Sequence, residues 1–120
     1  MQESGEMYLE TIHILSQQKE TVRAVDVAEY MGYSKPSVSR ALAILKTEGH
    51  VTIQRNGALI LSETGLAVAE KIYEHHIMMA ELLKQLGVTP EIADRDACRI
   101  EHVVSDETFD AIKNYIITKQ

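Results

Sequence analysis

The 120 residues contain no tryptophan, one phenylalanine and one cysteine. With so few aromatic side chains, no aromatic cage or base-stacking platform is expected. A lone cysteine closes no internal disulfide, which suits a reducing compartment. No run of 18 apolar residues is present, so a transmembrane helix is excluded on length. The first residues are polar and acidic (Gln2, Glu3, Glu6), unlike a signal peptide. A cytoplasmic protein with no membrane partner is the expectation. Also missing are a glycine-rich phosphate loop, a nucleophile elbow and paired catalytic carboxylates, so an enzyme is not expected. A small metalloenzyme built on Cys98 and His102 would still need an open coordination position and a substrate cleft.

The apolar fraction of 45% is that of an ordinary globular protein. The net charge of −6 is unevenly spread. Residues 21–62 carry Arg23, Lys35, Arg40, Lys46 and Arg55 against Asp26, Glu29 and Glu48, a net of +2. Residues 63–120 carry six basic and eleven acidic side chains, a net of −5. Contact with DNA, if made, belongs to the first part. The acidic part suits metal binding or a solvated surface.

Residues 3–19 read as an amphipathic helix with Met7, Leu9, Ile12, Ile14 and Leu15 on its apolar side. Residues 24–32 form a short helix that Gly32 can stop, and Ser34 with Pro36 opens another over 35–48. Helix, short turn with glycine, helix is the helix-turn-helix pattern. Its second helix presents Ser34, Lys35, Pro36, Ser37, Ser39 and Arg40. Small hydroxyls let the backbone approach phosphates, and Arg can read guanine in the major groove. The alternative for this face is an ordinary capped surface helix. Strand-like 51–54 and 59–62 flank Arg55-Asn56-Gly57-Ala58, and Asn-Gly is a strong hairpin signal. A hairpin directly after the second helix is a wing, with Arg55 and Asn56 at its tip within reach of DNA, or serving the turn alone. The fold class expected is mainly α: a winged helix-turn-helix domain over 1–62, then an all-helical domain over 63–120.

From Ser62 a long helix runs to Gly87, apolar on more than one side, as for a larger core or a dimer interface. Thr89-Pro90-Glu91 opens a helix over 89–104, and Ser105-Asp106-Glu107 opens one over 106–118 whose buried face is Phe109, Ile112, Tyr115 and Ile116. In the former, Cys98, Glu101 and His102 stand at i, i+3 and i+4, so a thiol, a carboxylate and an imidazole share one helical face. Such a face can offer three ligands to one cation. Met7 and Glu10 also share a face; standing alone they read as core filling and as a solvated carboxylate. Cys98 alone would read as a small buried hydrophobe.

Glu6-Met7-Tyr8-Leu9-Glu10, Ser34-Lys-Pro-Ser-Val-Ser39, Leu61-Ser-Glu-Thr-Gly65 and Cys98-Arg-Ile-Glu-His102-Val-Val-Ser-Asp-Glu107 together resemble the diphtheria toxin repressor family of metal-dependent transcriptional repressors. The resemblance covers essentially the whole chain. It implies a winged-helix domain, a helical dimerisation domain, and metal ligands at Met7, Glu10, His76, Cys98, Glu101 and His102. The sulfur ligands resemble the iron-responsive branch, and Glu10 resembles the manganese-responsive one. A length of 120 residues leaves no room for the SH3-like third domain of the iron branch. Asp94 stands where that branch has an ancillary His, and Ala80 follows four residues after His76, which argues against a second metal site.

Thioether and thiolate favour softer cations than Mn(II), so Fe(II) is the first choice and Mn(II) the second. The resulting expectation is an Fe(II)-activated repressor of metal-homeostasis genes, acting as a homodimer on a palindromic double-stranded DNA operator. A cation joining the two lobes would set the spacing of the paired recognition helices. A Mn(II)-responsive repressor, or a metal-independent winged-helix regulator with Cys98 as a redox sensor, are the alternatives. Replacing Cys98 or Glu101 by Ala is expected to remove the metal response and leave the fold intact.

Overall fold

The structure is a computed structural model that describes residues 3–119, in the order α1 (Glu3–Ser16), α2 (Ala24–Met31), α3 (Lys35–Thr47), β1 (Val51–Ile53), β2 (Leu59–Leu61), α4 (Glu63–Gln85), α5 (Pro90–Ile100) and α6 (Asp106–Lys119). It divides into two compact units, Met1–Glu70 and Lys71–Gln120, with the boundary inside α4. No helix among the described residues is long and apolar enough to cross a membrane.

The first unit is a winged helix-turn-helix. Leu9 and Ile12 of α1, Val27 of α2, and Val38 and Leu42 of α3 are essentially inaccessible to solvent and form its centre. Along α3 the buried Val38, Leu42 and Leu45 recur at i, i+4 and i+7, the stripe that one helical face presents to a core. Gly32 ends α2 with φ of 72°, the left-handed conformation that costs a Cβ-bearing residue most, and its N–H bonds to the Ala28 carbonyl at 2.9 Å. Ser34 then caps α3, its Oγ accepting from the Ser37 N–H at 3.3 Å. The two strands pair antiparallel with Val51 opposite Leu61.

Each strand is one residue shorter than the pattern predicts. Gln54 and Ser62 are drawn into other bonds: the Gln54 N–H donates to the Ala58 carbonyl across the turn (2.9 Å), and the Ser62 N–H donates to the His50 carbonyl (3.0 Å). Ser62 also starts α4, its Oγ accepting from the Gly65 N–H at 3.1 Å while donating to the Gly49 carbonyl at 2.6 Å. Thr64 donates to the same carbonyl at 3.3 Å and lies 3.0 Å from His50 Nδ1. This knot explains the glycine of Ser-Glu-Thr-Gly: a Cβ on Gly65 would sit 2.1 Å from the His50 carbonyl oxygen. Helix α1 stops at Ser16 rather than 19, where Gln17 turns its N–H to the Ile14 carbonyl (3.1 Å).

In the second unit Met79 and Ala80 of α4, Ala97 of α5 and Phe109 of α6 form a small apolar core. Pro90 opens α5 without a side-chain bond from Thr89, whose carbonyl accepts from the Ala93 N–H at 2.8 Å. Two expectations need correction here. Helix α5 ends at Ile100, not 104: the Glu101 N–H still reaches the Ala97 carbonyl (3.0 Å), but the Val103 N–H turns tightly onto the Ile100 carbonyl (3.0 Å). The β-branched pair Val103-Val104 favours helix poorly, and Ser105 then caps α6, its Oγ accepting from the Thr108 N–H at 3.2 Å. Tyr115 is not buried but half exposed, because it lies off the stripe of Phe109, Ile112 and Ile116. Tyr73 and Ile77 on α4 are also exposed.

Candidate metal centre and DNA-reading face

Asp94, Cys98 and Glu101 follow one another at i, i+4 and i+7, so α5 and its last cap carry them along one stripe. Glu101 and His102 lie just past the last helical residue, and Ala97 one turn earlier is fully buried. The Glu101 side chain is 0% exposed and that of His102 is 1% exposed. Glu101 Oε2 lies 2.9 Å from His76 Nδ1, and Glu101 Oε1 lies 3.2 Å from His102 Nε2. One buried carboxylate thus has an imidazole against each oxygen. The other nitrogen of His76, Nε2, is 2.8 Å from Asp94 Oδ1. Cys98 is in no disulfide and is partly buried on the same stripe.

A buried carboxylate needs charge partners and hydrogen bonds to offset its lost hydration. His76 is such a partner. The hydrogen bond that it donates to Glu101 pushes its pKa up to about 9, against the opposing effect of burial and with further help from Asp94. At neutral pH the ring is therefore an imidazolium, donating Nδ1–H to Glu101 and Nε2–H to Asp94. The neighbouring His75 behaves in the opposite way. It is buried, stacks on Phe109 with centroids 3.6 Å apart, and burial holds its pKa below the ordinary value. Its Nδ1 has no hydrogen-bond partner among the described residues. Of the adjacent pair, His75 is a core ring and His76 the one offered to a cation.

The donor set fits a divalent cation. Glu101 Oε2 lies beside one imidazole nitrogen and Oε1 beside another, so oxygen and nitrogen donors of the kind that bind divalent transition metals are already gathered. A cation can therefore take the place of the proton that His76 holds. Of the ligands expected from the sequence, this unit brings together His76, Glu101 and His102, with Cys98 on the same stripe. Met7 and Glu10 stand on α1 of the first unit; Met7 is partly buried, and Glu10 is buried rather than solvated. Because Glu101 is enclosed by two imidazoles, its replacement by Ala is expected to cost stability as well as the metal response.

On the first unit Ser34, Lys35, Pro36, Ser39 and Arg40 are exposed and Ser37 is half-buried. Ser34 Oγ donates to Ser37 Oγ (2.9 Å), and Arg40 Nη2 donates to Ser37 Oγ (3.4 Å), so hydroxyls and guanidinium form one outward row on α3. At the wing Arg55 is exposed, whereas Asn56 serves the turn: its Oδ1 accepts from the Ala58 N–H at 3.0 Å. Its backbone carbonyl accepts from Arg23 Nε at 3.0 Å, which ties the wing to the start of α2. Sequence reasoning missed this role of Arg23, since no local spacing signals a contact 33 residues away. It also missed the bond from Asp94 to His76, for which the i, i+4, i+7 stripe through Cys98 and Glu101 is the available signal.

Residues 1–59 match the family described as iron dependent repressor, N-terminal DNA binding domain. Residues 62–117 match iron dependent repressor, metal binding and dimerisation domain. The transcriptional regulator MntR of Escherichia coli O6:H1 is 38% identical over 106 residues, covering 88% of this chain and 68% of that protein. The diphtheria toxin repressor of Corynebacterium diphtheriae is 32% identical over 88% of this chain and 47% of its own length. The solved structure of the manganese regulator SloR superposes with a TM-score of 0.82 at 27% identity, covering 93% of this chain and 53% of that one. The chain thus spans about half the length of the last two. The paired matches, the winged helix and the carboxylate held between imidazoles agree: the chain belongs to the diphtheria toxin repressor family, a family of metal-dependent DNA-binding transcriptional regulators and not of enzymes.

Proposed function

We propose that this protein is an Fe(II)-activated transcriptional repressor of metal-homeostasis genes, which binds a palindromic operator as a cytoplasmic homodimer. The observation that carries the metal dependence is the Glu101 carboxylate, buried with His76 and His102 against its two oxygens. When bound, the cation supplies positive charge that replaces the proton of His76 and holds these donors in one geometry. Glu101 and His102 offer an oxygen and a nitrogen, His76 offers Nδ1 once that proton leaves, and Cys98 adds a soft sulfur. Met7 and Glu10 complete the ligand set on the sequence grounds given above. The thiol of Cys98 and the thioether of Met7 support Fe(II) over Mn(II). Mn(II) is the second reading, favoured by the similarity to relatives named MntR.

On the DNA side, Lys35 and Arg55 contact phosphates, and Arg40, steadied by Ser37, reads base edges in the major groove. In a two-fold dimer the paired α3 helices meet major grooves about 34 Å apart or a multiple of it. Metal and DNA then raise one another's affinity by one common factor, typically about 5–150-fold. The test is anoxic fluorescence anisotropy on labelled promoter DNA with no metal, Fe(II), Mn(II) or Zn(II), at one fixed salt concentration. Binding that requires metal supports the reading, and the ranking of Fe(II) against Mn(II) decides between the two. Tight binding that no cation alters would refute it.

A further inference from the structure

Asp94 lies outside the expected ligand set, yet it faces the centre: its Oδ1 is 2.8 Å from His76 Nε2. An imidazole ligates a cation through one nitrogen only and keeps its proton on the other, so the ring needs an acceptor at its far edge. Such an acceptor selects the tautomer, stops the ring from flipping and makes the ligating nitrogen more basic. His76 has that arrangement, with Nδ1 aimed at Glu101 and Nε2 aimed at Asp94. We propose that Asp94 is a positioning residue of the metal centre, holding Nε2–H of His76 so that Nδ1 is presented to the cation. This rests on the metal-dependent reading above.

The backbone supports it. Asp94 sits on α5 one turn before Cys98 and His76 sits on α4, so both acceptor and ring are carried by helical backbone. The Asp94 side chain is 70% exposed while that of His76 is 18% exposed, so the acceptor can be removed without opening a cavity. Two other roles predict different results. A mere surface ion pair would leave metal affinity unmoved. A ligand of a second ion would change the number of ions bound, and a second ligand of the same ion would leave no Nε2–H signal of His76 for Asp94→Ala to remove.

The experiment uses the full chain with Zn(II) as a diamagnetic, redox-inert probe. Affinity and stoichiometry are read by chelator competition for the wild type, Asp94→Ala, Asp94→Asn and the charge-matched control Asp110→Ala. Nitrogen-15 spectra follow the Nε2–H of His76 in the zinc-loaded protein. The expected result is an affinity loss of about 10–100-fold in Asp94→Ala at unchanged stoichiometry. The slowly exchanging His76 Nε2–H signal is lost with it. Asn, which keeps an acceptor but no charge, restores part of both, and Asp110→Ala matches the wild type. Wild-type affinity with an unchanged His76 signal in Asp94→Ala overturns the proposal, as does the loss of one zinc per chain. Failure of the wild type itself to bind Zn(II) brings down the metal-dependent reading first, so the two failures are distinguishable.

Discussion

In the first unit the centre is Leu9, Ile12, Val27, Val38 and Leu42, and the hydroxyls and guanidinium of α3 stand outside it. In the second unit the small core of Met79, Ala80, Ala97 and Phe109 shares the interior with Glu101, His75 and the His102 side chain. Glu101 is among the largest fully buried side chains of the protein. The first unit is held together chiefly by apolar burial, although it too buries a carboxylate, that of Glu10. The other is held together partly by what neutralises a buried carboxylate. There the proton that His76 holds beside the carboxylate enters the folding free energy.

The sharpest way to break this contrast is Glu101→Ala. It takes the buried carboxylate away from His76 and His102, and removing one partner of a buried charge pair costs about 3–5 kcal/mol. Urea denaturation of the metal-free protein reports the loss. Cys98→Ala, by contrast, removes the proposed sulfur ligand at little expected cost to stability, so the pair separates folding from sensing. The apolar unit breaks by geometry instead. Gly65→Ala drives a Cβ into the His50 carbonyl at a separation of 2.1 Å, and the expected destabilisation is about 3 kcal/mol or more, read by thermal melting.

Addition of cation sharpens the comparison. At a free concentration 100 times the Kd, the protein gains about 2.7 kcal/mol of stability. A midpoint of urea unfolding that Fe(II) and Mn(II) leave unmoved would refute a cation-linked fold. The pH dependence has a definite sign. His76 has its folded pKa raised to about 9, chiefly by the hydrogen bond to Glu101, so its stabilisation is complete below about pH 6.5 and is lost as pH rises through about 9. Metal-free protein therefore loses stability over that window, while cation affinity rises across it because one proton no longer has to be displaced. A flat stability profile between pH 6.5 and 9 would show that His76 is not paired as described. The smallest effect on folding belongs to Arg40→Ala, within about 0.5 kcal/mol for an exposed side chain. The same change weakens DNA binding and leaves metal affinity in the absence of DNA untouched; an equal fall in metal affinity would contradict that division.

Much of the fold is legible because its signals are local. The helix-turn-helix follows from Gly32, Ser34 and the Val38, Leu42, Leu45 stripe, and the wing from Asn56-Gly57 between two apolar pairs. Errors arose where long-range contacts overrule propensity. Helix α5 stops at Ile100 because the chain must turn into α6, and Tyr115 faces outward although its spacing resembles that of Ile112 and Ile116.

The candidate site divides along the same line. Cys98, Glu101 and His102 announce themselves by spacing alone, because three donors within five residues are close in any compact backbone. Spacing could not say which member of His75-His76 reaches them: the tertiary packing sends His75 onto Phe109 and His76 to Glu101. Nor could it show that Asp94 touches His76 across 18 residues, or that Arg23 holds the wing across 33. Residue types and short periods determined which chemistry is present. Only the tertiary structure decided which groups meet, because distance in space between sequence-remote side chains is set by how helices pack and not by either segment alone.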